Sequence, residues 1–166
     1  MPAVWLMPAA EDAEPLRRQI AALAARHQSM PFEPHLTLAS LPDLPLPELE
    51  DRLRAAARRF GPVRLRIQGA SWSPFFFRAL VLEAGLAPGL HALREAVAPG
   101  AGGWQPHVSL LYGEHTPAAL ETAAAALEYP AQIRFDALLW AAPAPPEQDW
   151  RQISRWRLGA RIPLEC

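Results

Sequence analysis

Leu16, Ile20, Leu23 and Ala24 recur at three- and four-residue steps, and Leu49, Leu53, Ala56 and Phe60 repeat that rhythm further along. Such spacing gathers each set on one face of a helix, and it predicts helices over about Glu11–His27 and Pro47–Phe60. Pro15 and Pro47 suit first-turn positions, where the missing N–H has no helical partner anyway, and Gly61 reads as a stop. Residues 63–67 change to period two, with Val63, Leu65 and Ile67 set against Arg64 and Arg66. That is a strand with one wet face, extending over Val63–Trp72. Ala3–Met7 is a short apolar run that reads as an opening strand, and His35–Ser40 alternates as a third. Trp5, Trp72 and Trp140 read as core residues.

The second part of the chain repeats the order. A strand over Phe76–Glu83 leads to a helix at about Pro88–Val97, a strand at His107–Tyr112, a helix at about Pro117–Leu127 and a strand at Gln132–Trp140. Gln152–Leu158 reads as a last strand. The Pro/Ala-rich stretch 141–148 and the Gly-rich stretch 98–103 read as loops. Element order and spacing match between the parts, which points to an internal duplication. The expected fold is α+β and bilobal, with two antiparallel-type sheets flanking a central cleft, helices outside, and halves related by a pseudo-twofold axis. One domain spans 1–166, its halves about 1–73 and 74–140, with a closing strand at 150–158.

The halves share more than order. Residues 34–38 read Pro-His-Leu-Thr-Leu and residues 106–110 read Pro-His-Val-Ser-Leu. Residues i and i+2 of a strand share a face, so His35 and Thr37 point one way while Leu36 and Leu38 enter the core. His107 and Ser109 do likewise against Val108 and Leu110. Each copy couples an imidazole to a hydroxyl, and two such units can flank one reacting atom from opposite sides. His27, at a helix end, His91, on a short amphipathic helix, and His115, in a turn, have no partner pattern and read as capping or solvated residues.

Composition narrows the partners. The 166 residues are 51% hydrophobic with a formal net charge of −1, so there is core enough for one domain and no global field drawing in long polyanions. All 16 cationic side chains are arginine and there are 19 prolines, a bias attributable to GC-rich coding. The dense basic segment Arg52-Leu53-Arg54 with Arg58-Arg59 reads as the solvated face of an outer helix. A lone cysteine at position 166 excludes an intrachain disulfide. The N-terminus reads as a strand and not a signal peptide, and no apolar stretch reaches membrane-spanning length. A soluble, cytoplasmic, monomeric protein is expected.

Three chemistries use two histidines and two hydroxyls. A metal site needs further ligands, but Glu33, two residues before His35, has only Gln105 as its counterpart before His107. A Ser-His-Asp hydrolase needs an elbow such as G-x-S-x-G to present its nucleophile, and none occurs. Metal-free phosphodiester hydrolysis uses every member of the motif: one imidazole takes a proton from water, the other gives one to the departing oxygen, and the hydroxyls donate to the phosphoryl group. This chemistry fits best.

The pair His35-Leu36-Thr37-Leu38 and His107-Val108-Ser109-Leu110 resembles the twin motifs of the 2H phosphoesterase superfamily, nearest its plant- and yeast-type cyclic phosphodiesterases. Val4-Trp5-Leu6-Met7-Pro8, Phe75-Phe76-Phe77, Ser109-Leu110-Leu111-Tyr112 and Trp150 extend the resemblance over almost the whole chain. The resemblance implies a duplicated bilobal fold and opening of nucleoside 2′,3′-cyclic phosphates to 2′-phosphates, or of ADP-ribose 1″,2″-cyclic phosphate to the 1″-phosphate, without a metal or other cofactor. It implies that His35 and His107 are the acid–base pair, that Thr37 and Ser109 hold the phosphate, and that Tyr112 and Phe77 line the substrate pocket. Tyr112 has the opposite strand parity to His107 and reaches the cleft only if the strand twists or ends there, an ending that Gly113 provides. Arg78 is a candidate for a second phosphate or a solvated strand residue. Two alternatives stay open: an enzyme of RNA 2′,3′-cyclic phosphate ends or 2′-5′ ligation, and a non-catalytic nucleotide-binding module.

Overall fold

The stripes of apolar residues become the buried faces. Leu16, Ile20, Leu49, Leu53, Leu36 and Leu38 are among the most completely buried side chains, and they lie on elements that build the sheet and its helical cover. The computed structural model describes residues 2–144 and 150–166. The first part forms β1 (Ala3–Pro8), α1 (Ala10–Arg26), β2 (Leu36–Ser40), α2 (Leu46–Ala57) and β3 (Val63–Trp72). The second forms β4 (Leu80–Ala84), α3 (Pro88–Val97), β5 (His107–Leu111), α4 (Pro117–Ala125) and β6 (Gln132–Ala142), followed by the two-residue strands β7 (Arg157–Leu158) and β8 (Ile162–Pro163).

Among the described residues the eight strands make one antiparallel sheet. Six of them run in the order β1-β2-β5-β4-β3-β6, and β6 pairs back to β1, so this part closes into a barrel-like ring. The two sheets expected from the sequence are the arcs β2-β1-β6 and β5-β4-β3. They meet at two seams, one the single pair Leu36–Val108 between β2 and β5, the other Val63–Arg66 against Gln132–Phe135. Exchanging the halves leaves the pairing pattern unchanged: β1–β2 corresponds to β4–β5 and β1–β6 to β4–β3. The helices obey the same exchange, α1 packing on β5 as α3 does on β2, and α2 on β6 as α4 does on β3. Each half therefore sends its last strand to pair with the first strand of the other.

Several local expectations change. Phe76–Arg78 is a single 3₁₀ turn and β4 starts only at Leu80. The Ser73 hydroxyl donates to the Arg78 carbonyl at 2.7 Å and accepts the Phe75 N–H at 3.3 Å, stapling the turn shut against the β propensity of three phenylalanines. Gln152–Leu158 is a 3₁₀ turn at Ile153–Arg155 ahead of the short β7, and not one strand. Ala141 and Ala142, read as loop, extend β6; residues 145–148 of that stretch lie outside the described residues. Pro15 falls within α1, beyond its first turn, because the helix starts at Ala10. Trp72 is 37% exposed at the end of β3 and is not a core residue.

One buried cation organises the route into β5. Arg94 on α3 donates from Nε to the Leu38 carbonyl of β2 and from Nη1 to the Gly102 carbonyl, both at 2.8 Å, and lies over the Trp104 ring. Its charge is satisfied by carbonyl dipoles, as a buried guanidinium requires, and it ties the loop before the second motif to the strand of the first. Among the described residues no helix is long and apolar enough to cross a membrane.

Candidate active site

Both motif histidines stand at the head of a strand, each just after a proline that holds its predecessor extended. The His35 Nδ1–H donates to the Glu33 carbonyl at 2.7 Å and the His107 Nδ1–H to the Gln105 carbonyl at 3.1 Å. A carbonyl can only accept, so in each neutral ring the proton sits on Nδ1 and Nε2 carries the lone pair. The two rings are locked in the same tautomer by the same i−2 contact, and both line one cavity of about 550 Å³.

Thr37, Ser109, Tyr112 and Phe77 line that cavity too, so all six candidate residues meet there. The two hydroxyls are not in the same state. The Ser109 hydroxyl donates to the Phe77 carbonyl at 3.0 Å, whereas the Thr37 hydroxyl has no hydrogen-bond partner among the described residues. Tyr112 arrives because β5 ends at Leu111. Gly113 follows at φ +124°, and a Cβ there would press on the His115 ring, so the sharp exit is open to glycine. The Tyr112 carbonyl accepts from Ser29 Oγ at 2.6 Å and from His115 Nε2 at 3.0 Å. Its ring stacks on Phe32, and its hydroxyl faces His35 Nε2 at 3.5 Å. Burial raises the Tyr112 pKa, opposed by the Ser109 hydroxyl, so the phenol stays protonated. His115 is thus a brace beneath Tyr112, with His27 edge-on beside it.

The two imidazoles sit in different media. His35 is 4% exposed and stacks on Trp5 with ring centroids 3.6 Å apart, while Phe32 meets its edge. Burial pushes its pKa down to about 4; the Glu33 carbonyl opposes this and His107 adds to it. His107 is half-buried. Its pKa is also lowered, first by burial, with the Gln105 carbonyl and Glu83 favouring the charged form and Arg78 opposing it.

Trp5 is buried, as expected of core, but it is also the floor under His35. Its role depends on β1 pairing with β2 so that Trp5 stands opposite Thr37, which its own sequence neighbourhood does not reveal. Trp150, Ile153 and Trp156, from the segment before β7, complete the apolar wall. Trp156 stacks beyond Trp5, and Trp150 leans on Phe76 and Phe77. Arg78 reaches the rim, with Nη2 3.5 Å from Glu83.

A closed duplicated sheet with one histidine and one hydroxyl from each half in its cleft defines a 2H-type phosphoesterase fold. The family model of the 2′-5′ RNA ligase superfamily matches residues 39–139, a stretch that contains the second motif and begins just after the first. The chain belongs to that superfamily. No curated protein matches the sequence. Among solved structures the chain resembles Escherichia coli LigT complexed with 3′-AMP, at 19% identity and TM-score 0.58, over 99% of this chain and 98% of that one. It resembles TT0787 of Thermus thermophilus at 16% identity and TM-score 0.59, over 98% and 97% of the two chains. At these identities the likeness is one of fold.

Proposed function

We propose that the protein is a metal-independent cyclic phosphodiesterase of the plant- and yeast-type branch, acting as a cytoplasmic monomer without cofactor. It opens small cyclic phosphates by two-histidine acid–base catalysis, converting nucleoside 2′,3′-cyclic phosphates to 2′-phosphates or ADP-ribose 1″,2″-cyclic phosphate to the 1″-phosphate. The observation that carries the reading is the matched pair of imidazoles, each tied at Nδ1 with its lone pair on Nε2, lining one cavity with the Thr37 hydroxyl. One Nε2 takes a proton from water as its oxygen attacks phosphorus. The other, protonated, delivers a proton to the sugar oxygen as the P–O bond breaks. Thr37 donates to a phosphoryl oxygen, where charge grows in the transition state, and Ser109 does so once its proton turns from the Phe77 carbonyl to the substrate. Trp150, Trp156, Phe77 and Tyr112 supply flat apolar surfaces suited to a nucleoside. Structures of E. coli LigT with 3′-AMP, ATP and NADP+ show that a protein of this fold holds small nucleotides.

The superfamily's description favours a second reading, an enzyme of RNA ends, for which the Arg64 and Arg66 side chains on the wet face of β3 offer modest cationic surface. Turnover of 2′,3′-cyclic nucleotides, ADP-ribose cyclic phosphate and an RNA ending in a cyclic phosphate, each with EDTA present, separates the readings. Hydrolysis of the small substrates with EDTA present supports the first, and activity confined to the RNA supports the second. Binding of nucleotides without turnover of any of the three would leave a binding module, and loss of all turnover with EDTA would refute metal independence.

A further inference from the structure

The pseudo-twofold exchange assigns every residue around one motif a counterpart around the other. In the β4–β5 ladder Leu82 stands opposite Val108 and Glu83 opposite His107. In the β1–β2 ladder Leu6 stands opposite Leu36. The residue after Leu6, and so the counterpart of Glu83 under the exchange, is Met7, which is 3% exposed. The position that carries a carboxylate in the second half carries a thioether in the first. Directly opposed residues of an antiparallel pair share a face, with Cβ atoms about 5 Å apart.

Glu83 is held for this task. Its Oε1 accepts the Ser71 hydroxyl of β3 at 2.7 Å, and Arg78 Nη2 approaches the same oxygen at 3.5 Å. Its Oε2 is buried with no hydrogen-bond partner. A buried carboxylate oxygen without a donor favours any positive charge that forms beside it. The charged groups around His107 are Glu83 on β4, Arg78 in the 3₁₀ turn, and His35 across the β2–β5 seam; of these only Glu83 favours the imidazolium.

We propose that Glu83 is a positioning residue that stabilises the imidazolium form of His107, so that His107 is the proton donor and His35, stacked on Trp5, is the base. The inference rests on the phosphodiesterase reading and divides its roles. Water's oxygen bonds to phosphorus as its proton passes to His35 Nε2; the bond from phosphorus to the sugar oxygen breaks as that oxygen receives the His107 Nε2 proton. Each turnover leaves His35 protonated and His107 neutral, and exchange with solvent resets both.

The test combines Glu83→Gln, which keeps shape and an acceptor for Ser71, with Glu83→Asp, which keeps the charge. NMR titration of the ligand-free protein should show the His107 pKa falling by about one unit in Glu83→Gln, with His35 unmoved and Glu83→Asp close to wild type. The basic limb of kcat/KM should fall by the same amount, so that at a pH above it activity drops about tenfold, with Glu83→Asp restoring most of it. An unchanged His107 titration in Glu83→Gln, equal shifts of both histidines, or a basic limb that stays put while His107 shifts would each overturn the inference. So would disappearance of the Glu83→Gln effect in an Arg78→Ala background, since Glu83 would then act by holding Arg78. The titration needs no substrate, so wild-type protein that turns over none of the cyclic phosphates would sink the proposed function while leaving Glu83's hold on His107 separately measurable.

Discussion

The two motif strands share a backbone and differ in what surrounds it. At the head of β2, His35 is stacked on Trp5, edged by Phe32 and almost out of contact with solvent. At the head of β5, His107 is half-buried, with Val81 where Trp5 would be and Glu83 and Arg78 nearby. The Nδ1 contacts, tautomers and i−2 carbonyls are the same. Duplication thus supplies two like groups at like angles, and neighbouring strands differentiate them. One imidazole is kept neutral by removal of water, while the other retains charged company and access to solvent. An acid–base reaction needs that inequality, since two equal groups would share one average protonation state.

The most severe way to break the comparison is to remove either ring. His35→Ala and His107→Ala should each lower turnover by about 10² to 10⁴. The double variant should lose far less than the product of the two, because both act in one transition state. Steady-state rates check this, and strictly multiplicative losses would mean the rings do not share a reaction.

The hydroxyls should prove unequal in the same sense as the rings. Thr37→Val should reduce kcat by about 10², in the range for loss of a transition-state donor, and raise KM much less. Thr37→Ser should be mild. Ser109→Ala should cost less, because the Ser109 proton is already committed to the Phe77 carbonyl. Binding of vanadate with a nucleoside should weaken in the same order, and a larger loss from Ser109→Ala would reverse the asymmetry.

The pH profile sharpens the contrast. Activity should rise with pH as His35 deprotonates around pH 4 and fall again as His107 loses its proton, below the ordinary imidazole value. The bell in kcat/KM, read on the free enzyme, is therefore displaced to the acid side of neutrality and not centred on it. A profile flat between about pH 4 and 8 would deny both rings a role. The smallest effect belongs to Tyr112→Phe, which keeps the ring stacked on Phe32 and removes a hydroxyl 3.5 Å from His35 Nε2. A loss of about fivefold or less in kcat, with little change in KM, is expected from one such contact.

Much of this was legible in the chain because repetition made it so. The element order, the helical stripes and the twin Pro-His-x-Thr/Ser-Leu segments need only local periodicity, and the six candidate residues do line one cavity. What stayed hidden depends on register. Trp5 becomes the floor under His35, and Glu83 the neighbour of His107, only once β1 is set against β2 and β4 against β5. Strand parity made Tyr112 look misplaced until the chain broke at Gly113. Phe76–Arg78 has strand composition but turns because a single serine hydroxyl bridges it, and Ile153–Arg155, read within the last strand, coils beside the cavity. Arg94 had no pattern to mark it, since its partners are main-chain carbonyls that no local periodicity points to.

The exchange of last strands between the halves has a consequence for how the chain comes to be. β3 pairs with β4 and β6 and with nothing in its own half, so while the first half leaves the ribosome, a ten-residue strand emerges with both edges bare. Bare edges invite pairing with other chains. β1 in turn waits for residues 135–141 before its second edge is covered. The ring therefore cannot close until synthesis has passed β6, and its slow step joins segments from opposite ends of the chain. A polypeptide stalled between the halves would be an aggregation hazard and not a half-sized domain.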